Sequence, residues 1–452
     1  MKAAMSIKNV ISIRLWKKRQ AGFIIKPIML NRQSAMRMLK ENILPFWQNM
    51  ADEENGGFFG EADFSGKINR TADKGGILNS RILWTFSAAY RLLGDEAYGK
   101  CAARAREFLS AAFLDREYGG LYWLVDCEGR PLNTRKQFYN MAFGIYALGE
   151  HYLAAGDISS LELALSLFDA LEKYGLDSRQ DSNGGGYIEA RSRDWLSIDD
   201  FRLSGKDLNS PKSMNTNLHV LEAYTTLARA AISAERKMSA ENGEGGQAGT
   251  SHICGPNTCA AHVRAALENI LRVTLEKIVN DDFHFNLFFD MDWRSLVNEV
   301  SWGHDIEGSW LMYEAALVTG NESLISAAKN TAIAIAGAVH SAAIDHNNGG
   351  FLSGLGADGK IHDKKEWWPQ AEAVVGFYNA YELSGERKFL EAADNIWTYT
   401  EKYFMDGICG EWHNELFQDN TPDKTMLKAG FWKCPYHNSR ACLEIISREN
   451  GK

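Results

Sequence analysis

The sequence predicts an all-α fold: an (α/α)6 barrel of twelve helices with short β-hairpins between helix pairs. Three observations carry that expectation. First, a Gly-Gly-aromatic phrase recurs, as NGGFFGEADFSG at 55–66, YGGLYWLVDCEGRP at 118–131, NGGGYIEARSRDW at 183–195 and NGGFLSGLGADGKI at 348–361. Two looser copies follow the same plan, FHFNLFFDMDW at 283–293 and CGEWHNELFQDN at 409–420. Each alternates apolar and polar residues around a Gly or Asp turn, the pattern of a short hairpin. Second, pairs of helical patterns lie between the hairpins. Third, every second helix starts with polar and aromatic residues and then turns apolar. That suits an inner ring whose N-termini line a cavity. A solenoid serves the helix count equally well, but the special character of alternate helices favours closure.

In chain order the expected helices are 33–49, 75–94, 96–113, 134–155, 159–174, 210–232, 260–279, 300–318, 323–340, 365–383, 387–403 and 428–446. Those at 75–94, 134–155, 210–232, 300–318, 365–383 and 428–446 form the inner ring. Residues 234–259 break the rhythm. They are rich in Gly, Ser and Ala, lack periodicity, and read as a surface loop inserted between helices. Residues 1–30 read as a basic, unstructured extension, and 31–452 as one catalytic domain. The first 40 residues carry ten Lys and Arg and no acid before Glu41. The apolar run Val10–Ile13 is too short for a secretory signal.

Composition narrows the function. The 452 residues are 45% apolar and 24% charged, with room for a large core. Forty-nine Lys and Arg against fifty-eight Asp and Glu give a net charge of −9, so no nucleic-acid partner is expected. No run of about 18 apolar residues occurs, which argues against a spanning helix and a membrane partner. Seven scattered cysteines, an odd count, fit a reducing compartment and a cytoplasmic location.

Some motifs point nowhere. Gly243, Gly245 and Ala248 match a loose dinucleotide fingerprint but lack the flanking strand and helix. Gly354 to Lys360 spells G-x-x-x-x-G-K, yet Ile361 stands where a hydroxyl must hold magnesium. His252, Cys254, Cys259 and His262 are all able to ligate zinc, but they fall in the inserted loop, away from the expected cavity.

The histidines are more telling. His219, His304 and His437 each fall early in a different inner helix, so all three converge on one cavity. Arg81 lies near the start of the first inner helix. Glu307 follows His304 by three residues, shares its helix face, and is expected to orient the imidazole. Trp367 and Trp368 precede Glu372 on another inner helix. Adjacent Trp residues cannot both face one core stripe, and with Trp310 they suggest flat surfaces for the C–H faces of sugars.

The strings SRILWTFSAAYR, NTNLHVLEAY, WGHDIEGSWL, KEWWPQAEAVVGF and WKCPYHNSR resemble the cellobiose 2-epimerases of the N-acylglucosamine 2-epimerase superfamily. The match runs from about Asn31 to Ile446, broken by the insert. The resemblance implies an (α/α)6 barrel that converts the reducing-end glucose of a β-1,4-linked disaccharide to mannose, with no metal and no cofactor. It makes His304 and His437 the acid/base pair, with Arg81 and His219 polarising substrate oxygens and Glu307 supporting His304. It makes Tyr139, Asn215, Trp310, Trp367, Trp368, Glu372 and Trp432 the wall that holds the sugars. The expected partner is a small disaccharide such as cellobiose or lactose, and the chain is expected to be a monomer or a weak homo-oligomer.

The chemistry suits these residues. Inverting C2 of an aldose removes a proton beside a carbonyl, which needs a base titrating near neutrality and stabilisation of the developing oxyanion. An aldose–ketose isomerase would share the cluster. A glycoside hydrolase would need two carboxylates across the cavity; Glu307 and Glu372 are the candidates, and three histidines would then be unexplained. A non-catalytic sugar-binding protein would not need the Arg–His–His–His set.

Overall fold

The computed structural model describes residues 28–242, 259–362 and 364–450. Twelve helices follow one another in this part. The first, α1, runs Arg32–Arg37, loosens into a π-turn over Met38–Ile43 and resumes over Leu44–Asn49. Then come α2 (Gly76–Leu93), α3 (Glu96–Phe108), α4 (Phe138–Ala155), α5 (Ile158–Tyr174) and α6 (Met214–Asn242). The second half holds α7 (Cys259–Val273), α8 (Trp302–Thr319), α9 (Glu322–Ala343), α10 (Trp367–Ser384), α11 (Arg387–Tyr403) and α12 (Tyr436–Asn450).

Even-numbered helices form the inner ring. α2 packs on α4, α4 on α6, α6 on α8, α8 on α10, α10 on α12, and α12 returns to α2. Burial follows from that position. Every residue from Phe138 to Tyr152 of α4 is buried, whereas outer helix α3 buries only Tyr98, Ala102, Ala105 and Phe108, one helical stripe.

One local device makes most inner-to-outer corners. Gly94, Gly156, Gly320 and Gly385 end inner helices at φ of 68–75°, a region that favours glycine. At three of these corners the next residue, Asp95, Asp157 or Asn321, accepts a hydrogen bond from the first turn of the outer helix. Between α6 and α7 this two-residue corner is missing, and the insert stands in its place. The helix expected to end at 232 runs on to Asn242, so residues 234–242 of the expected loop are helical.

Outer-to-inner connections carry the hairpins. The short strand that leads into each inner helix pairs with the hairpin of the next repeat. Lys74–Gly75 pairs with Leu124–Val125, Lys136–Gln137 with Ala190–Arg191, and Lys212–Ser213 with Phe288–Phe289. Val300–Ser301 pairs with Gly354–Leu355, and Lys365–Glu366 with Glu415–Leu416. A bridge between Ala62 and Ala429 joins the first hairpin to the lead-in of the last inner helix and closes the circle. The G-x-x-x-x-G-K string is such a hairpin tip, with Gly356 N–H donating to Lys360 O.

Beneath the strands lies a repeated buried ion pair. Lys74–Asp52 (2.7 Å), Lys136–Asp115 (2.9 Å), Lys212–Asp177 (2.6 Å), Lys365–Asp345 (2.7 Å) and Lys428–Asp406 (2.5 Å) occupy equivalent places in five repeats. Each aspartate also accepts backbone N–H bonds from the turn that follows it. In the fourth repeat Asn280 and Val300 replace both partners, so neither charge is left alone.

The last inner helix starts at Tyr436, not near 428. Pro435 disfavours helical geometry at Cys434, so 428–435 stays non-helical. His252 and Cys254 of the possible zinc set, Gly243, Gly245 and Ala248, and residues 1–27 of the basic extension lie outside the described residues.

Candidate active site

The N-terminal turns of the inner helices open onto a cavity of about 710 Å³, within the roughly 300–1,000 Å³ of small-molecule sites. Arg81 of α2, Tyr139 of α4, Asn215 and His219 of α6, and His304 and Glu307 of α8 line it. Trp367 and Trp368 of α10, His437 of α12 and Trp432 of the preceding loop complete the wall. A second compartment of about 300 Å³ adjoins it, sharing Asn215, His304 and Trp368. Leu203, Lys206 and Asp207 face both spaces. Their segment is tethered by Gln137 Nε2 donating to Arg202 O at 3.0 Å. Nothing in the sequence pattern singled this segment out.

All three histidines are held through Nδ1. His219 Nδ1 lies 2.9 Å from Glu222 Oε2, His437 Nδ1 2.7 Å from Glu372 Oε1, and His304 Nδ1 2.7 Å from Ser301 Oγ. That leaves Nε2 of each ring for the cavity. Burial pushes His304 down to about 3, with the charges of His219 and Arg81 adding to it. Burial first, then Arg81 and Arg440, hold His437 well below the usual imidazole range. Both rings are therefore neutral at pH 7. Trp368 touches both, with ring centroids 4.7 Å from His304 and 5.5 Å from His437.

Arg81 faces no carboxylate within ion-pair distance among the described residues. Its Nη2 donates to Tyr139 Oη at 2.8 Å and Nη1 to Cys434 Sγ at 3.6 Å, and the guanidinium lies over Phe143 at 4.2 Å. A buried cation of this kind favours an anion in the cavity.

Glu307 does not support His304. Shared helix face brings residues three apart together, but Ser301 already occupies His304 Nδ1. Glu307 turns instead toward α12, accepting from Arg440 Nη2 at 2.5 Å and lying 3.7 Å from His437 Nδ1. Burial and the neighbouring Glu372 push its carboxyl up to about 7. Trp310 and Glu372 do not line the cavity. They sit deeper along α8 and α10, where Trp310 Nε1 donates to Glu372 Oε2 at 3.2 Å. Trp432 lies on a loop, 38% exposed, against Trp123 and Tyr139.

Sequence reasoning missed Arg440, Glu222, Tyr436 and Ser301. Two share a signal: Glu222 and Arg440 each follow a cavity histidine by three residues, one helical turn. Glu307, Glu372 and His437 present ligand atoms within 4.8 Å of one another and form a possible metal cluster. They do not fit a metal, because Arg440 Nη2 donates to Oε1 of both carboxylates and occupies that position with its own positive charge. The same contact makes Glu307 and Glu372 neighbours, with Glu372 outside the cavity lining, unlike a hydrolase pair that must flank a bond.

Residues 57–241 and 258–441 match the family described as N-acylglucosamine 2-epimerase (GlcNAc 2-epimerase). The chain belongs to this family. It is 40% identical to a cellobiose 2-epimerase of Bacteroides fragilis, over 92% of this chain and 98% of that one. It is 38% identical to a cellobiose 2-epimerase of Ruminococcus albus, over 91% and 97%. The solved cellobiose 2-epimerase of Bacillus thermoamylovorans superposes with a TM-score of 0.81 at 36% identity, covering 92% of this chain and 99% of that one. A D-mannose isomerase structure, at 19% identity and a TM-score of 0.75, shares the fold. The chain is a carbohydrate 2-epimerase, an isomerase on an (α/α)6 barrel.

Proposed function

We propose that the enzyme epimerises C2 of the reducing-end glucose of β-1,4-linked disaccharides without a cofactor, turning cellobiose to glucosyl-mannose and lactose to epilactose. The observation that carries this reading is the set of three imidazoles, each fixed at Nδ1, around an arginine with no carboxylate partner among the described residues. The second compartment beyond Trp368 supports a substrate of two rings, and the relatives' names point to cellobiose.

Glu372 accepts from His437 Nδ1–H, so His437 Nε2 carries the lone pair and is the base. Ser301 Oγ takes the backbone N–H of His304 and gives its own proton to His304 Nδ1, so His304 presents Nε2–H and is the acid. The sugar first opens, its O1 proton passing to the ring oxygen. His437 then takes the C2 proton. The electrons of that bond move to the carbonyl oxygen, and Arg81 stabilises the resulting enediolate, while His219 lines the wall beside it. His304 delivers a proton to the opposite face of C2, the carbonyl re-forms and the ring closes. The proton on His437 returns to His304 through solvent.

Incubation with cellobiose and product analysis tests the reading. Glucosyl-mannose supports it. Glucosyl-fructose marks an aldose–ketose isomerase, free glucose a hydrolase, and unchanged cellobiose a different substrate.

A further inference from the structure

We propose that Arg440 is a positioning residue for the reaction, a single buried guanidinium that joins the carboxylates holding His219 and His437 and so orients the two imidazoles as one unit. This rests on the histidine chemistry proposed above.

The connections are continuous. Arg440 is 1% exposed. Its Nη1 donates to Glu222 Oε1 and to Tyr436 Oη, and Tyr436 Oη donates to the same Glu222 oxygen. The other oxygen of Glu222 holds His219 Nδ1 at 2.9 Å. On the opposite side, Arg440 Nη2 donates to Glu372 Oε1 at 2.7 Å, the same atom that lies 2.7 Å from His437 Nδ1. Nη2 also donates to Glu307 Oε1 at 2.5 Å. The guanidinium is stacked over Tyr436 at 4.3 Å and Trp310 at 4.8 Å.

Three carboxylates thus share one cation. The planar fork satisfies them from both ends at fixed angles, which an ammonium cannot do. Among the described residues Arg440 donates to carboxylates and Tyr436 and to neither imidazole, and it does not line the cavity. Its hydrogen bonds reach His219 through Glu222 on α6, and its own helix neighbour His437 through Glu372. The base on one wall and a second cavity imidazole on another are then set by a common piece of buried chemistry.

The test uses full-length enzyme with ¹⁵N-labelled histidine, and the variants Arg440→Lys, Arg440→Met and Glu222→Gln. Ring ¹H–¹⁵N spectra of the wild type should show Nδ1–H on both His219 and His437. Either Arg440 variant should shift both ring patterns together while leaving His304 unchanged, and kcat should fall about 10- to 100-fold, the usual loss for a supporting group, with KM altered less. Glu222→Gln should move the His219 signals and, through Arg440, those of His437. Should the Arg440 variants fail to fold, Glu222→Gln alone decides. Movement confined to His219 overturns the coupling, as do unchanged rings in folded Arg440 variants. The spectra need no turnover, so a wild type inactive on cellobiose would count against the proposed function and leave this test standing.

Discussion

Removing the two proposed proton-transfer groups one at a time should give unequal losses. In His437→Asn no carboxylate is stranded, because Glu372 keeps Arg440 at 2.7 Å and Trp310 Nε1 at 3.2 Å. In His304→Asn the partner is a serine hydroxyl that also caps the first turn of α8. Neither change leaves a buried charge alone, so folding should survive and the loss should report chemistry. General acid–base catalysis contributes about 10²–10⁴-fold, or ~2.7–5.4 kcal/mol in the barrier, and epimerisation should fall by that range or more in both. Exchange separates them. With cellobiose in deuterium oxide, followed by NMR at C2, His304→Asn keeps its base and should wash deuterium into unepimerised sugar. His437→Asn should do neither. Deuterium wash-in by His437→Asn, or near wild-type epimerisation by either variant, would refute the assignment and bring His219 forward as a catalytic partner.

Arg81, with no carboxylate partner among the described residues, should prefer an anionic analogue of the enediolate. Cellobionate should compete with cellobiose at least tenfold better than neutral cellobiitol, and Arg81→Met should erase the difference; equal inhibition by both in the wild type removes the oxyanion role. Trp368 touches both cavity histidines and lines both compartments, so Trp368→Ala should raise KM more than it lowers kcat, by about 1–3 kcal/mol if it stacks as aromatic residues do on bases. Trp367 is 3% exposed under Lys433 and should cost stability as well; a KM unchanged in Trp368→Ala speaks against stacking. Against the upward push of burial, hydrogen bonds from the buried lysines, and at Asp115 and Asp177 first from Arg193 and Arg179, hold Asp52, Asp115, Asp177, Asp345 and Asp406 below the usual carboxylate range. A depressed folded pKa gives stability that is present above about pH 4 and lost as pH falls through the folded values. The melting temperature should therefore stay level from pH 7 to 5 and drop below 4, and a Lys365→Met, Asp345→Asn double variant should show a shallower drop. Chelators should leave activity unchanged, since Arg440 fills the one candidate metal position among the described residues.

The architecture was readable because a sixfold repeat writes its period directly into the sequence. The Gly-Gly-aromatic phrase marks each hairpin, and polar residues early in an otherwise apolar helix betray a cavity. His219, His304 and His437 carry that signal, and each lines the cavity. What lay further from the helix start did not read as clearly. Trp310 and Glu372 are one to two turns deeper than His304 and Trp367, below the cavity floor, and periodicity alone cannot say where a floor is. Glu307 was assigned by helix spacing to a neighbour on its own helix, but the charge of Arg440 on another helix draws it away. Arg440 itself follows a histidine by three residues, a placement that looks solvated in isolation. The lysines of the buried pairs look like ordinary surface charges until the partner aspartate, about 20 to 35 residues earlier, is brought beneath them.

The bridge between Ala62 and Ala429 has a consequence for how activity is acquired. A linear array of helix pairs can lose a terminal unit and keep the rest, because each unit leans on its neighbours alone. Here Arg81 comes from the second helix of the chain and His437 from the twelfth, and the cavity exists between them. Contacts that span nearly the whole chain are slow to form, since much of the loop entropy is spent before they reward it. A growing chain on the ribosome therefore holds five of the six walls, and lacks His437, until its last helix emerges. A molecule cut short before α12 has an open ring, lacks His437 and Arg440, and by the proposed chemistry should be inert rather than partly active.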